Sequence, residues 1–194
     1  MPEALRAATL FTSGEYRAYE LAEDDVPRMQ RFFDASPSYF RIVSGATAPP
    51  TEGRDEFDSL PPADWPQGRK WMIGFDADSE LVALATLIAD LFAPGVWHVG
   101  LFMVAESRWG DGGRIYRDLE AWMRAQGARW LRLGVILGNH RAERFWRREG
   151  YVETRRRTGF RVGAQDNVLI VMGKPLDGGS IEELLSRVPR DRPD

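Results

Sequence analysis

Three glycines in four residues, Gly110-Asp111-Gly112-Gly113, stand between an apolar run and a helical apolar stripe. A turn of this kind ahead of a helix is a physical anion site. Its backbone N–H groups point outward, and the first-turn N–H groups of the helix add partial positive charge. Glycine omits the Cβ that would hold phosphate oxygens at a distance. The same residues would also make a bare turn with glycine in the left-handed region. Two common phosphate motifs are excluded. There is no G-x-x-x-x-G-K-[ST], and no G-x-G-x-x-G with an acid about 20 residues later, which argues against a nucleotide. One strand further on stand Asn139-His140-Arg141-Ala142, Phe145-Trp146 and Gly150-Tyr151. This is a capping asparagine, a helix with an aromatic pair, and a glycine stop.

The elements that must position these residues follow from hydrophobic periodicity. Tyr16 to Leu21 alternates and reads as a first strand. Glu23-Asp24-Asp25 opens a helix to about Ala35 on the stripe Val26, Met29, Phe32 and Phe33. Pro37 starts a short second helix through Ile42. Ala48 to Gly68 holds five prolines and a cluster of acids; it reads as an irregular loop with one helical turn around Glu56. Lys70 to Asp76 and Leu81 to Ala89 are strands around a polar turn. Val96 to Val104 is apolar on both faces and central to the sheet. Ile115, Leu119, Trp122 and Met123 mark a helix closed by Gly127. Trp130 to Leu137 is a strand, and Asn139 to Gly150 a helix. Tyr151 to Arg156 and Val168 to Met172 form a closing antiparallel pair. A short helix and a charged tail occupy 177–194. The order β-α-α-β-β-β-α-β-α-β-β predicts an α/β (α+β) domain over 1–176, with a mixed sheet and helices on both faces.

At 194 residues the chain suits one domain. Its net charge of −3 is too near neutral to predict binding to nucleic acid or an anionic membrane. The absence of cysteine excludes disulfides, thiolate ligands and a cysteine nucleophile, and two histidines do not make a multi-histidine metal site. No metal is expected. No apolar run approaches the roughly 18 residues of a membrane span. Met1 to Leu10 lacks the pattern of a signal peptide, so a cytoplasmic location is expected.

The two motifs together resemble the GNAT superfamily of acyl-CoA-dependent N-acyltransferases. That family carries [QR]-x-x-G-x-[GA] after its fourth strand and N-x-x-A-x-x-[FL]-Y-x-x-x-G-[FY] one strand later. Here the first is Ser107-Arg108-Trp109-Gly110-Asp111-Gly112, and the second is Asn139 through Tyr151, matched in spacing at every position. The resemblance runs from about Tyr16 to Pro175 and is weakest over Ala48 to Gly68. It implies a mostly antiparallel sheet with a splayed strand pair, and acetyl-CoA as acyl donor. Backbone groups of Met103 and Val104 would pair with the pantetheine arm as an added strand would. The N–H groups of Arg108, Trp109, Gly110, Asp111, Gly112 and Gly113 would hold the pyrophosphate. Asn139 would hydrogen-bond the cofactor, Ala142 lies on the same helix, and Phe145 and Trp146 would wall the arm. The N–H of Val104 would polarise the acyl carbonyl.

Two positions depart from the pattern. Ser107 stands where Gln or Arg is usual, and a shift of register would put Arg108 or Trp109 there instead. Trp146 stands where the family often has the tyrosine that protonates the departing thiolate, and indole cannot do so. A thiol of pKa about 8.5 gives a fair leaving group without that help.

Direct transfer needs a neutral amine, and a lysine-like amine has a pKa of about 10.4, so a base is wanted. His98 lies six residues before Val104. Strict alternation puts both on one sheet face, at the distance where the family often places a glutamate base. Glu106, just past the strand, is the second candidate. His140 reads as a solvated first-turn residue. Arg141, Arg144, Arg147 and Arg148 make a basic helix face that could meet a 3′-phosphate. Arg155, Arg156 and Arg157 read as a charged strand end. Glu52, Asp55, Glu56, Asp58 and Asp64, with Phe57, Trp65 and Trp71, would make an acidic, aromatic rim for a cationic amine, and Tyr39 and Phe40 would add to its wall. The expected activity is N-acetylation of a small-molecule amine. The alternatives are acetylation of a protein lysine or N-terminus, and a non-catalytic CoA-binding regulator. A homodimer is compatible with the tryptophan-rich composition.

Overall fold

The computed structural model describes residues 8–193. One eight-stranded sheet runs in the order β1-β2-β3-β4-β5-β6-β8-β7. Its strands are β1 Thr9–Ser13, β2 Tyr16–Glu20, β3 Lys70–Ala77, β4 Glu80–Ile88, β5 Val96–Val104, β6 Trp130–Ile136, β7 Val152–Val162 and β8 Gln165–Pro175. All neighbours are antiparallel except β5 and β6. The helices are α1 Val26–Asp34, α2 Pro37–Val43, α3 Glu52–Asp58, α4 Gly112–Ala125, α5 His140–Arg148 and α6 Ile181–Arg187. None of the described helices is long and apolar enough to cross a membrane.

The strand at Tyr16 is the second of the sheet, not the first. β1 pairs with it across a turn at Gly14, whose φ of +59° suits glycine. The segment read as an irregular loop contains α3, more than a single turn. Gly53 lets α3 lie directly on α1, since a Cβ there would come within 2.9 Å of the Gln30 nitrogen and the Val26 carbonyl oxygen.

The two sheet faces carry separate cores. Ala83, Ala85, Leu87, Val99, Leu133 and Val135 pack with Ile115, Tyr116 and Leu119 of α4 and with Trp146 of α5. On the opposite face Met72, Leu84 and Met103 pack with Met29, Phe32 and Phe33 of α1 and Phe40 of α2. We call this second face the α2 face.

Two irregularities in β5 open and orient the central edge of the sheet. Thr86 pairs with Leu101 and Leu87 with Val99, so Gly100 is an extra residue in the ladder. The β5–β6 pairing covers only Val96–Val99 against Trp130–Leu133. Beyond it β5 continues with β4, and β6 with β8, so the two strands part. This is the splayed pair that the resemblance implied.

The segment expected to be a charged tail is docked. Leu184 and Val188 bury themselves against Val96 and Trp130. Asp191 is 1% exposed and accepts from Arg132 Nε at 2.8 Å and from Arg157 Nη2 at 2.9 Å. The run of arginines in β7 is likewise engaged: Arg156 pairs with Glu153, and Arg155 donates to the Arg190 carbonyl.

Candidate active site

Where β5 and β6 part, a cleft of about 180 Å³ opens, lined mainly by apolar surface. One wall is α2, with Ser36, Ser38, Tyr39 and Ile42. The other is α5, with Asn139, Arg141, Ala142, Phe145 and Trp146. Phe102, Met103 and Val104 of β5 lie between them, and Glu106, Trp109 and Gly112 close one end. The sequence-predicted residues Met103, Val104, Trp109, Gly112, Asn139, Ala142, Phe145, Trp146 and Glu106 are therefore brought together. Arg108, Gly110 and Asp111 lie in the adjoining turn and Gly113 at the start of α4, outside the cleft lining. Ser36, Ser38, Ile42 and Phe102 were missed; they carry no motif, and only the packing of α2 across the sheet and the register of β5 identify them.

Residues 106–111 form a 3-10 turn that leads into α4 at Gly112. None of Gly110, Gly112 and Gly113 has a left-handed φ, so the left-handed turn considered as the bare alternative is not formed. A Cβ on Gly110 would meet nothing within 4 Å. Among the described residues Gly110 is the one glycine with neither a left-handed φ nor a neighbour in that radius. Neither backbone strain nor packing within the chain explains a glycine at this position. Asp111 does not point into this space. Its carboxylate accepts from Tyr16 Oη at 2.6 Å and from Arg114 at 3.2 Å. Arg141 stacks 3.1 Å over the Trp109 ring, which places a cation at the cleft mouth. Trp109 lines the cleft and Ser107 does not.

Asn139 caps α5, its Oδ1 accepting from the Ala142 nitrogen at 3.1 Å. Trp146 is 7% exposed and presents its indole to Tyr116 and Tyr151, with ring centroids 4.9 and 5.2 Å away. The two tyrosine hydroxyls bond each other at 2.5 Å behind it. They are sealed from the cleft by the indole that replaces the family tyrosine.

The expectation that His98 and Val104 share a face is corrected. The extra residue at Gly100 reverses the alternation, so His98 falls on the α2 face with Leu101 and Met103, while Phe102 and Val104 face α4 and α5. The His98 ring packs against Arg132, with Nδ1 3.2 Å from both the Arg132 carbonyl oxygen and Nη1. Burial, followed by the Arg132 charge, pushes its pKa down to about 3. Glu106 lines the cleft, but its Oε1 accepts from the Ser38 nitrogen at 3.0 Å and ties the start of α2 to the turn.

The acidic, aromatic rim does not assemble as expected. Trp71 is on the opposite sheet face, edge-on to Trp122 at 5.0 Å. Trp65 stacks on Phe92 and under Arg190. Asp55 is held by Thr51, and Asp58 faces Arg54. Phe40 is 3% exposed and belongs to the core, whereas Tyr39 does reach the cleft. Of the five acids only Glu52 and Glu56 stand near Tyr39, and their charges add to the burial that raises the Tyr39 hydroxyl pKa.

With this geometry in view, comparison with known proteins is specific. Residues 29–151 match the model of the acetyltransferase (GNAT) family. The ribosomal-protein-S18-alanine N-acetyltransferase of Escherichia coli is 14% identical, with a TM-score of 0.62 over 86% of this chain and 97% of that one. An acetyltransferase of Thermus thermophilus is 19% identical, with a TM-score of 0.64 over 87% of this chain and 100% of that one. The ribosomal-protein-S5-alanine acetyltransferase of Vibrio fischeri is 13% identical, with a TM-score of 0.65 over 88% and 98%. At these identities the likeness shows the shared fold. No curated protein sequence matches the chain closely enough to count as a relative.

Proposed function

The chain belongs to the GNAT family of acetyltransferases, and from that membership we propose that it moves an acetyl group from acetyl-CoA to the primary amine of a small, cationic acceptor. The observation that carries this reading is the cleft at the parted β5–β6 edge, walled by Phe102, Phe145 and Trp146, and adjoining the open space at Gly110. Bound there, acetyl-CoA supplies a thioester carbon to the acceptor nitrogen. The chain's own residues supply the rest. The free edge of β5 at Met103 and Val104 offers backbone partners for an extended arm. The N–H groups of the turn and of the start of α4, from Gly112, suit a pyrophosphate. Asn139 spends its carbonyl oxygen on the helix cap and keeps its amide N–H groups for the arm. Phe145 and Trp146 exclude water, and the Val104 N–H serves the acyl oxygen.

The acceptor side is the α2 face. Glu52 and Glu56 beside Tyr39 give it negative charge, which favours an ammonium. His98 is a poor base in this setting. With a pKa of about 3 it lies about 7 below an amine of about 10.4, an uphill transfer of roughly 10 kcal/mol.

Thermal unfolding with and without acetyl-CoA, followed by thiol release with a panel of amines, tests the proposal. Acetyl-CoA at about 100 times its Kd should stabilise the fold by about 2.7 kcal/mol, and cationic amines should release thiol faster than anionic ones. No stabilisation at millimolar acetyl-CoA refutes the site. Stabilisation without thiol release from any amine favours a non-catalytic CoA-binding protein, the reading that Trp146 in the tyrosine position supports.

A further inference from the structure

Resting on the acetyltransferase reading above, we propose that Glu56 is the base that takes the proton from the acceptor amine, positioned by Thr86 on the α2 face of the sheet. The placement comes from the register. Thr86 of β4 pairs with Leu101 of β5, and Leu84 pairs with Met103, which lines the cleft. Thr86 therefore sits one step along the same face from the cleft floor. Glu56 reaches Thr86 from α3, with Oε1 at 2.5 Å from Thr86 Oγ1, and stands beside the cleft-lining Tyr39. Thr86 is 4% exposed, so the hydroxyl fixes the carboxylate inside the fold, not at its rim.

The second carboxylate oxygen is the reactive one. Among the described residues Glu56 Oε2 has no hydrogen-bond partner. The cation nearest to it, Lys70 of β3, donates to the carbonyl oxygens of Glu56, Phe57 and Ser59 at 2.7, 2.9 and 2.7 Å. Lys70 thus closes the C-terminal end of α3 and leaves the carboxylate without a direct ion pair. The other groups facing Glu56 are Tyr39 of α2, which lines the cleft, and Glu52 one turn earlier on α3. Two carboxylates and a phenol, against the single ammonium of Lys70, make a site short of positive charge. The acceptor ammonium supplies it.

The electrostatics suit proton transfer. Burial holds Glu56 above the ordinary carboxylate range, against the downward pull of the Thr86 hydrogen bond and the Lys70 charge. Glu52 is raised as well, by burial and by Glu56. A raised carboxylate is a stronger base than an ordinary one. The other two candidates are worse placed: His98 is held at a pKa of about 3, and Glu106 accepts the Ser38 N–H.

Transfer is then a direct displacement in which the acceptor nitrogen sheds two protons. An ammonium proton of the acceptor passes to Glu56 Oε2 and from there to solvent. The freed nitrogen lone pair forms the C–N bond to the acetyl carbon as the C–S bond breaks with its electron pair leaving on sulfur as thiolate. The second proton then leaves the nitrogen for the thiolate or solvent, which gives a neutral amide.

The test uses the full chain, acetyl-CoA, and cadaverine, spermidine and tyramine as acceptors. Glu56→Gln keeps shape and removes the base. We expect kcat/KM to fall at least 100-fold with acetyl-CoA affinity unchanged, and the acidic limb of the pH profile to disappear. Thr86→Val removes the bond that favours the charged carboxylate, so its acidic limb should move to higher pH while most activity survives at pH 9. A readout without turnover is calorimetric binding of cadaverine to the CoA-loaded protein, expected to weaken at least tenfold in Glu56→Gln. Glu56→Gln within threefold of wild type in kcat/KM overturns the role, as does cadaverine binding that ignores the substitution. A Thr86→Val limb that stays in place overturns the positioning by Thr86. If acetyl-CoA fails to bind even wild type, the acetyltransferase reading itself falls; failure of Glu56 alone leaves that binding intact.

Discussion

Gly110 offers a perturbation that separates binding from folding. Its φ lies outside the left-handed region, and an added Cβ would meet nothing within 4 Å. The fold should therefore accept Gly110→Ala without strain. Because alanine has fewer unfolded conformations to lose, stability should rise by about 0.4–1 kcal/mol. For a domain of this size that is about 1–4 °C in Tm. Gly110→Val extends past the open Cβ position, and its effect on the free protein is read by the same thermal unfolding. Binding should respond oppositely. If a pyrophosphate occupies the space, the new side chain pushes it off the turn. A hydrogen bond to a charged group is worth about 1.5–3 kcal/mol, and losing one or two costs about 3 kcal/mol, or roughly 100-fold in Kd. Calorimetry with acetyl-CoA measures the affinity, and thermal unfolding of the free proteins measures the stability. Valine at 110 with unchanged acetyl-CoA affinity would refute the anion site. A loss of several degrees in the free protein would instead show that the turn needs glycine for itself.

Three further outcomes are expected. Asn139→Ala removes the α5 cap, which costs about 1 kcal/mol, and should also weaken acetyl-CoA binding; Asn139→Asp should restore the stability but not the binding, as read by paired thermal and calorimetric measurements. Asp191→Ala leaves Arg132 and Arg157 facing each other without their shared carboxylate, and should cost about 3–5 kcal/mol, or roughly 6–20 °C in Tm, by thermal unfolding. His98 is depressed in the folded state to about 3 from 6.5, so the unfolded chain binds more protons in that interval. The contribution of His98 is complete above pH 6.5 and is lost as pH falls toward about 3, by up to about 1.4 kcal/mol per pH unit. Denaturant titrations of wild type and His98→Gln at pH 4.5 and 7.5 measure it, and parallel pH dependences would contradict it.

Periodicity and capping residues made much of this fold legible. The stripe Val26, Met29, Phe32 and Phe33, the Asn139 cap and the stops at Gly127 and Gly150 all correspond to observed features. The family was readable because a glycine turn before one helix and an asparagine cap on the next leave a local trace in the sequence. Three things were not legible. β1 is short and has only two apolar residues, Leu10 and Phe11, so nothing alternates for long enough. α3 is stabilised by its contact with α1 through Gly53, which prolines and acids conceal. The extra residue at Gly100 is set by the β4–β5 register, and one such residue suffices to turn His98 away from Val104. The acids around Glu56 were visible, but only tertiary structure shows that Trp65 and Trp71 do not join them.

Helix α2 is fastened at both ends by contacts remote in sequence. Glu106 holds its start through the Ser38 N–H at 3.0 Å, and Asn167 of β8 donates to the Val43 carbonyl at its finish, also at 3.0 Å. Between these pins it spans the gap where β5 and β6 part, like a beam over a doorway. Each pin is worth only about 1 kcal/mol net, so the larger part of what seats the beam is the burial of Phe40 and Val43 beneath it. Cutting either pin alone, by Glu106→Ala or Asn167→Ala, should therefore loosen one end of α2 and leave its middle in place.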